Sequence, residues 1–168
     1  MCGLSAVVET GPPGEGVVDA LGRMHAALAH RGPDGEGHLW IDTGGQARAS
    51  HGDARLPPQG AVRAAGAFRW LKIQDLDSRS NQPMASADGR AWILFNGEIY
   101  NHRALRAQLE SLGDRFQTRS DTEVALAAYR RWGVEAFTRF AGMWGMAIFD
   151  LETRRLVLSR DRLGIKPL

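Results

Sequence analysis

Met1-Cys-Gly-Leu-Ser-Ala-Val-Val-Glu9 opens the chain, and its apolar, β-branched character predicts a buried strand that begins at the terminus itself. The first residues of a domain are normally loose, so a strand here implies a terminus that is held in place. The second residue is the only cysteine of the chain. Once Met1 is removed, which so small a neighbouring side chain permits, Cys2 carries a thiol and a free α-amino group together. With a pKa of roughly 7.7–8.0 that amine can act as base for its own thiol near neutral pH. Read without function, Cys2 is a small core residue.

Working outward, Gly11-Pro12-Pro13-Gly14 ends the strand, and the apolar spacing then turns helical from Val17 to Ala29. Val18, Leu21, Met24, Ala27 and Leu28 are expected on the buried face. The helix should stop near Arg31, because Gly32-Pro33 cannot continue it. Further strands are expected at His38–Ile41, Phe68–Ile73 and Ala91–Phe95, with Leu56–Gly60 a loop. A helix follows at Arg103–Leu112, closed by Gly113-Asp114. Another runs from Ser120-Asp121-Thr122-Glu123 to Trp132, opened by a capping box. Met143–Phe149 and Arg154–Ser159 read as a closing hairpin. Strands segregated from helices point to a layered α+β fold.

One domain accounts for all 168 residues, which suffice to bury a core without disulfides. A single cysteine excludes a disulfide framework and a multi-cysteine zinc site. The 21 Lys+Arg against 19 Asp+Glu leave a charge of only +2. The basic residues come in pairs such as Arg130-Arg131 and Arg154-Arg155, unlike the clustered stripe of a nucleic-acid footprint. No apolar run is long enough to span a membrane and no charged-then-apolar leader opens the chain, so a soluble, cytoplasmic protein is expected.

Three further clusters could carry chemistry. In Phe95-Asn-Gly-Glu-Ile-Tyr-Asn-His102, Asn-Gly after an apolar strand signals a turn. The same pair offers a carboxamide N–H and an unobstructed backbone N–H, the two donors an oxyanion hole requires. Arg31-Gly-Pro-Asp34 is a helix stop that could also serve a site. Asp121 suits a helix N-terminus electrostatically and could equally face an ammonium group.

Met-Cys-Gly at 1–3, Arg-Gly-Pro-Asp at 31–34, Asn-Gly-Glu-Ile-Tyr-Asn-His at 96–102, Ser-Asp at 120–121, Gly-Met-Trp-Gly-Met-Ala at 142–147 and Arg-Asp-Arg-Leu-Gly-Ile-Lys-Pro-Leu at 160–168 occur in that order. Together they resemble the glutaminase domain of class II glutamine amidotransferases, of the glutamine-hydrolysing asparagine synthetase type, over essentially the whole chain. The resemblance implies an N-terminal-nucleophile hydrolase fold, a four-layer αββα sandwich with two antiparallel sheets. It implies hydrolysis of L-glutamine through a Cys2 thioester, with Asn96 and Gly97 as oxyanion donors. Glu98, through its backbone, and Asp121 would bind the substrate α-amino group. No metal or cofactor is implied for this step. ATP and magnesium are implied only for a synthetase domain that this sequence does not contain, and whose nucleotide-binding patterns are absent here. A non-catalytic regulatory or docking module with the same fold is the alternative.

The sequence departs from the family at the arginine for the substrate α-carboxylate. In Phe68-Arg-Trp-Leu-Lys-Ile-Gln-Asp75 the expected position holds Trp70, and Arg69 stands one residue early. An offset of one places a strand side chain on the opposite face unless a bulge re-aims it. Arg55, in His51-Gly-Asp-Ala-Arg-Leu56, is the second candidate. The family continues beyond Lys-Pro-Leu into a further strand, so the C-terminal end is expected to be incomplete. The partners implied are L-glutamine and a synthetase domain or subunit that receives ammonia, and the motifs are compatible with a homo-oligomer; neither nucleic acid nor membrane is implied.

Overall fold

The opening apolar run forms β1 (Gly3–Val8) of a computed structural model that describes residues 2–12, 16–52, 60–71 and 80–168. The chain divides into two compact units, one built on residues up to 73 with Asn81–Pro83, the other on the remainder. In the first unit β1 is followed by helix α1 (Gly16–Ala27), a 3₁₀ turn (Ala29–Arg31), β2 (Gly35–Asp42), β3 (Ala47–His51) and β4 (Val62–Trp70). The four strands form an antiparallel sheet in the order β1-β4-β2-β3.

Small side chains shape this unit. The central strand β4 reads Val-Arg-Ala-Ala-Gly-Ala-Phe-Arg-Trp, and Ala65 and Ala67 let α1 lie close on the sheet. Val17 and Leu21 fill the space against them. The buried face of α1 is thus Val17, Leu21 and His25, while Met24 of the expected face is exposed. His25 is buried because its Nε2 bonds Glu36 Oε2 at 2.9 Å, and Arg69 Nη1 reaches the same oxygen at 2.7 Å. The His25 and His38 rings meet edge to face, with centroids 4.6 Å apart. Strand β3 was not expected from the sequence. It is short and partly exposed, and its backbone pairing with β2 carries it where apolar alternation is weak. Likewise β4 starts at Val62, earlier than Phe68, because both neighbouring strands pair with its Ala-Gly run. Lys72, Ile73 and the Leu56–Gly60 loop through Gln59 lie outside the described residues.

The second unit comprises β5 (Met84–Ala85), β6 (Ala91–Ile99), α2 (His102–Ser111), α3 (Asp121–Trp132), a 3₁₀ segment (Gly133–Arg139), β7 (Gly142–Asp150) and β8 (Arg155–Arg160). Its antiparallel sheet runs β5-β6-β7-β8. Ile93, Phe95, Ile99, Trp144, Met146 and Ile148 share one core with Leu105 and Leu109 of α2 and with Val124, Ala125 and Ala128 of α3. Ser120 caps α3 as expected, its Oγ accepting the Glu123 N–H at 3.2 Å. The Glu123 carboxylate reaches further back than a simple capping box, to the N–H groups of Gln117 (2.8 Å) and Thr118 (2.7 Å). Among the described residues no helix is long and apolar enough to cross a membrane.

Glu36 is the shared acceptor beneath α1, so Glu36→Gln should leave Arg69 with an uncompensated, largely buried charge. The expected loss is up to about 3 kcal/mol of unfolding free energy, read from urea denaturation.

Candidate functional site

Strand alternation decides what each candidate side chain faces. In the first unit Gly3 pairs with Arg69, and a Cβ built on Gly3 would meet Leu28 at 3.1 Å and Arg31 at 3.5 Å. Gly3 and Arg69 therefore lie on the α1 side of the sheet, and Cys2, one residue earlier, turns to the other face. The Cys2 thiol sits over the end of β4. Its Sγ accepts the Leu71 N–H at 3.5 Å and lies 3.8 Å from the Leu71 carbonyl oxygen. Arg31 donates from Nε to the Cys2 carbonyl at 3.1 Å. The Arg-Gly-Pro-Asp motif is thus more than a helix stop: Arg31 holds the residue that carries the nucleophile candidate, and the Asp34 N–H bonds Trp70 at 3.0 Å.

Arg69 does not take the role expected of a carboxylate binder. It is ion-paired to Glu36 on the α1 side, the face away from Cys2. The one-residue offset in the sequence has the consequence a two-residue period demands. Arg55 lies outside the described residues.

In the second unit the Asn-Gly pair is not a turn. Asn96 and Gly97 are inside β6, opposite Gly145 and Trp144 of β7, and the ladder continues through Ile99 opposite Gly142. On the other edge of β6 the pairing is much shorter, since β5 pairs only with Trp92 and Ile93. Along that edge the odd-numbered residues of β6 point their backbone groups away from β7. The Ala91 carbonyl accepts Ser86 N–H there at 2.8 Å, and the Ile99 N–H donates to Asp121 Oδ2 at 2.9 Å. By the same alternation the Gly97 N–H leaves β6 on the edge that β5 does not cover. Asn96 is buried and shares the strand face of Leu94, away from the helix-packed core.

Asp121 stands at the first position of α3, where the helix N-terminus favours negative charge. Burial nevertheless pushes its carboxyl above the ordinary carboxylate value, against the opposing pull of the Ile99 N–H and of His102. His102 in turn donates from Nδ1 to the Ile99 carbonyl at 2.9 Å, so both polar groups of Ile99 are held. The Glu98 carbonyl is turned the other way. A Cβ on Gly142 would collide with its oxygen, which places that oxygen against β7 and not on the Asp121 edge. An ammonium site shared by the Glu98 backbone and Asp121 is therefore not what β6 presents; the edge presents Asp121 alone of the two. The only sequence signal for His102 is its place at the end of the Asn-Gly-Glu-Ile-Tyr-Asn-His run. Among the described residues no group of three or more His, Cys, Asp or Glu side chains could hold a metal ion.

Comparisons with known proteins identify the family and the fold. A family model described as a glutamine amidotransferase domain matches residues 1–168. Asparagine synthetase [glutamine-hydrolyzing] 1 of Bacillus subtilis is 35% identical over 170 residues, covering 100% of this chain and 24% of that protein. A putative asparagine synthetase [glutamine-hydrolyzing] of Mycobacterium bovis is 38% identical over 178 residues, covering 100% of this chain and 25% of that protein. The chain thus spans about a quarter of the length of these relatives. Among solved structures, the glutamine phosphoribosylpyrophosphate amidotransferase from B. subtilis superposes with a TM-score of 0.75 at 21% identity, covering 98% of this chain and 38% of that one. The α+β class with two antiparallel sheets, the N-terminal-nucleophile hydrolase fold, is the fold of this chain.

Gly97 is tightly packed against β7: a Cβ there would collide with the Met143 carbonyl oxygen and lie 2.7 Å from Trp144 Cα and 2.9 Å from Trp144 Cβ, with no flexible group to yield. Gly97→Ala should cost about 1–3 kcal/mol in urea unfolding. Gly22→Ala in α1, where a Cβ meets nothing within 4 Å, should instead stabilise by about 0.4–1 kcal/mol.

Proposed function

Because this chain belongs to the glutamine amidotransferase domain family, we propose that it hydrolyses L-glutamine to L-glutamate and ammonia at Cys2, in a cytoplasmic setting, the ammonia serving an ATP-dependent amidation of the asparagine synthetase type. The observation that carries the reading is the hold on residue 2. Arg31 grips the Cys2 carbonyl at 3.1 Å while the Leu71 N–H points at the sulfur at 3.5 Å, an arrangement that fixes where the thiol sits.

With Met1 removed, the Cys2 α-amine takes the thiol proton and the sulfur attacks the side-chain carboxamide carbon of glutamine. The carbon–oxygen π electrons move to oxygen, and the Asn96 carboxamide and the Gly97 N–H donate to the resulting oxyanion. Collapse of the tetrahedral adduct breaks the carbon–nitrogen bond. The leaving nitrogen takes the proton from the α-ammonium group and departs as ammonia. Water, giving its proton to the same amine, then attacks the γ-glutamyl thioester and releases glutamate and the thiol. Asp121, ionised, receives the substrate α-ammonium group. No metal or organic cofactor enters this scheme. ATP and magnesium would serve the amidating domain, to which no residue of this chain is assigned.

A second reading, a regulatory or docking module that does not turn over glutamine, draws support from one observation: Arg69 is committed to Glu36 and not free for a substrate carboxylate. A glutamine analogue with an electrophilic carbon separates the two, since labelling of Cys2 requires both the nucleophile and a working pocket.

Cys2→Ala should abolish glutaminase activity in an ammonia-release assay, and intact mass should show Met1 absent; turnover by a chain that retains Met1 would overturn the α-amine as base. Activity should fall as pH drops below roughly 7.7–8.0, because the protonated amine cannot accept the thiol proton. Asp121 adds a separate dependence. Its raised pKa means that the carboxyl neutralises at higher pH than an ordinary carboxylate, so KM for glutamine should rise on acidification while the carboxyl takes up its proton. Asp121→Asn should raise KM about 10- to 100-fold and remove that part of the KM profile.

A further inference from the structure

The last residues of the chain fold around one buried carboxylate that the proposed chemistry does not use. Asp161 is 5% exposed. Its carboxylate accepts the backbone N–H groups of Leu163 (3.1 Å), Ile165 (2.9 Å) and Lys166 (2.9 Å), winding residues 161–166 into a closed turn. Arg160 bonds the Lys166 carbonyl from Nε at 2.7 Å and closes the turn from its other side. The same Asp161 also grips β7. Its Oδ2 accepts the Trp144 N–H at 3.2 Å, and its own N–H donates to the Trp144 carbonyl at 2.8 Å.

Trp144 is the strand partner of Gly97. Its Cα lies where a Gly97 side chain would begin, so any shift of Trp144 is transmitted directly to Gly97. The residue after it, Gly145, is the strand partner of Asn96. Gly145 is covered by the segment that Asp161 folds: a Cβ there would stand 2.7 Å from the Pro167 carbonyl oxygen and 3.7 Å from Leu168 Cβ. Both oxyanion-donor positions on β6 are thus backed by β7 residues whose placement depends on Asp161, one by direct hydrogen bonds and the other through the turn.

We infer that Asp161 is a positioning residue for the oxyanion donors: by holding Trp144 and folding residues 163–167 over Gly145, it sets β7 behind Gly97 and Asn96. The inference rests on the glutaminase reading, because it concerns donors whose role that reading supplies. A carboxylate suits the task where a neutral side chain does not, since an ionised Asp offers about four lone-pair sites and accepts only, whereas Asn would turn an N–H₂ toward backbone N–H groups. A displacement of about 1 Å in a donor weakens an interaction made chiefly in the transition state, so the effect belongs in kcat.

The test is steady-state glutamine hydrolysis by the full chain with Asp161→Asn. The expected result is a fall in kcat of about 10- to 100-fold with KM within about 2-fold of the parent. Gly145→Ala, which drives a methyl group against the Pro167 carbonyl and leaves Asp161 intact, should give the same split. Tyr129→Phe serves as the control for lost stability alone. It removes a buried hydrogen bond of 2.9 Å to Asp150, at the opposite end of the β6–β7 ladder, and should lower the unfolding midpoint while kcat holds. If Asp161→Asn does not fold, the Gly145→Ala result decides. Unchanged kcat in the folded variants of an active parent, or a rise in KM alone, overturns the positioning role. A parent chain that folds, has lost Met1 and still does not hydrolyse glutamine overturns the glutaminase reading itself, and the inference with it.

Discussion

The pairing of β6 with β7 runs without a break from Ala91 opposite Asp150 to Ile99 opposite Gly142, and the second unit is arranged around it. Near its middle Gly97 meets Met143 and Trp144 so closely that no side chain on Gly97 could be accommodated. That contact explains why an Asn-Gly pair, which locally favours a turn, stays extended: a nine-residue ladder outweighs the preference of two residues. It also separates the functions of the two edges of β6. One edge is consumed by β7. On the other edge β5 pairs only with Trp92 and Ile93, the Gly97 N–H points away from β7, and the Ile99 N–H is taken by Asp121.

In the first unit the corresponding constraint is the two-residue period of β1 and β4. Gly3, Ala65, Ala67 and Arg69 belong to the side packed by α1, where Glu36 joins His25 and Arg69. Cys2 belongs to the other side. An ionic pair under a helix and a thiol with a main-chain hold are thus kept on opposite faces of one sheet, each by backbone geometry and not by distance along the chain.

Much of this was legible beforehand. The apolar runs located β1, β2, β6, β7 and β8, and Ser120 with Glu123 located the start of α3, because these signals are local and tertiary packing reinforced them. The readings that needed correction are those in which distant residues decide. His25 is buried in place of Met24 because Glu36, eleven residues on, satisfies its ring nitrogen. The Ala-Gly run of β4 has weak strand preference and is extended because β1 and β2 pair with it on both sides. The Glu98 carbonyl is committed to the β7 side by register, which no spacing rule within Asn-Gly-Glu could reveal.

The candidate chemistry divides along the same line. Residue type and order, with the family resemblance they carry, made Cys2 the nucleophile candidate and Asn96 and Gly97 the candidate donors, set Asp121 at the start of a helix, and put the arginine near 69 out of phase. Only the tertiary structure decided that Arg69 is ion-paired to Glu36, that Arg31 holds Cys2, and that Trp144, bonded by Asp161, and Gly145 lie opposite Gly97 and Asn96. The reason is physical. A side chain's chemistry is written in its identity, but the direction of a backbone N–H or carbonyl depends on which strand lies beside it, and that partner is chosen by residues far away in sequence.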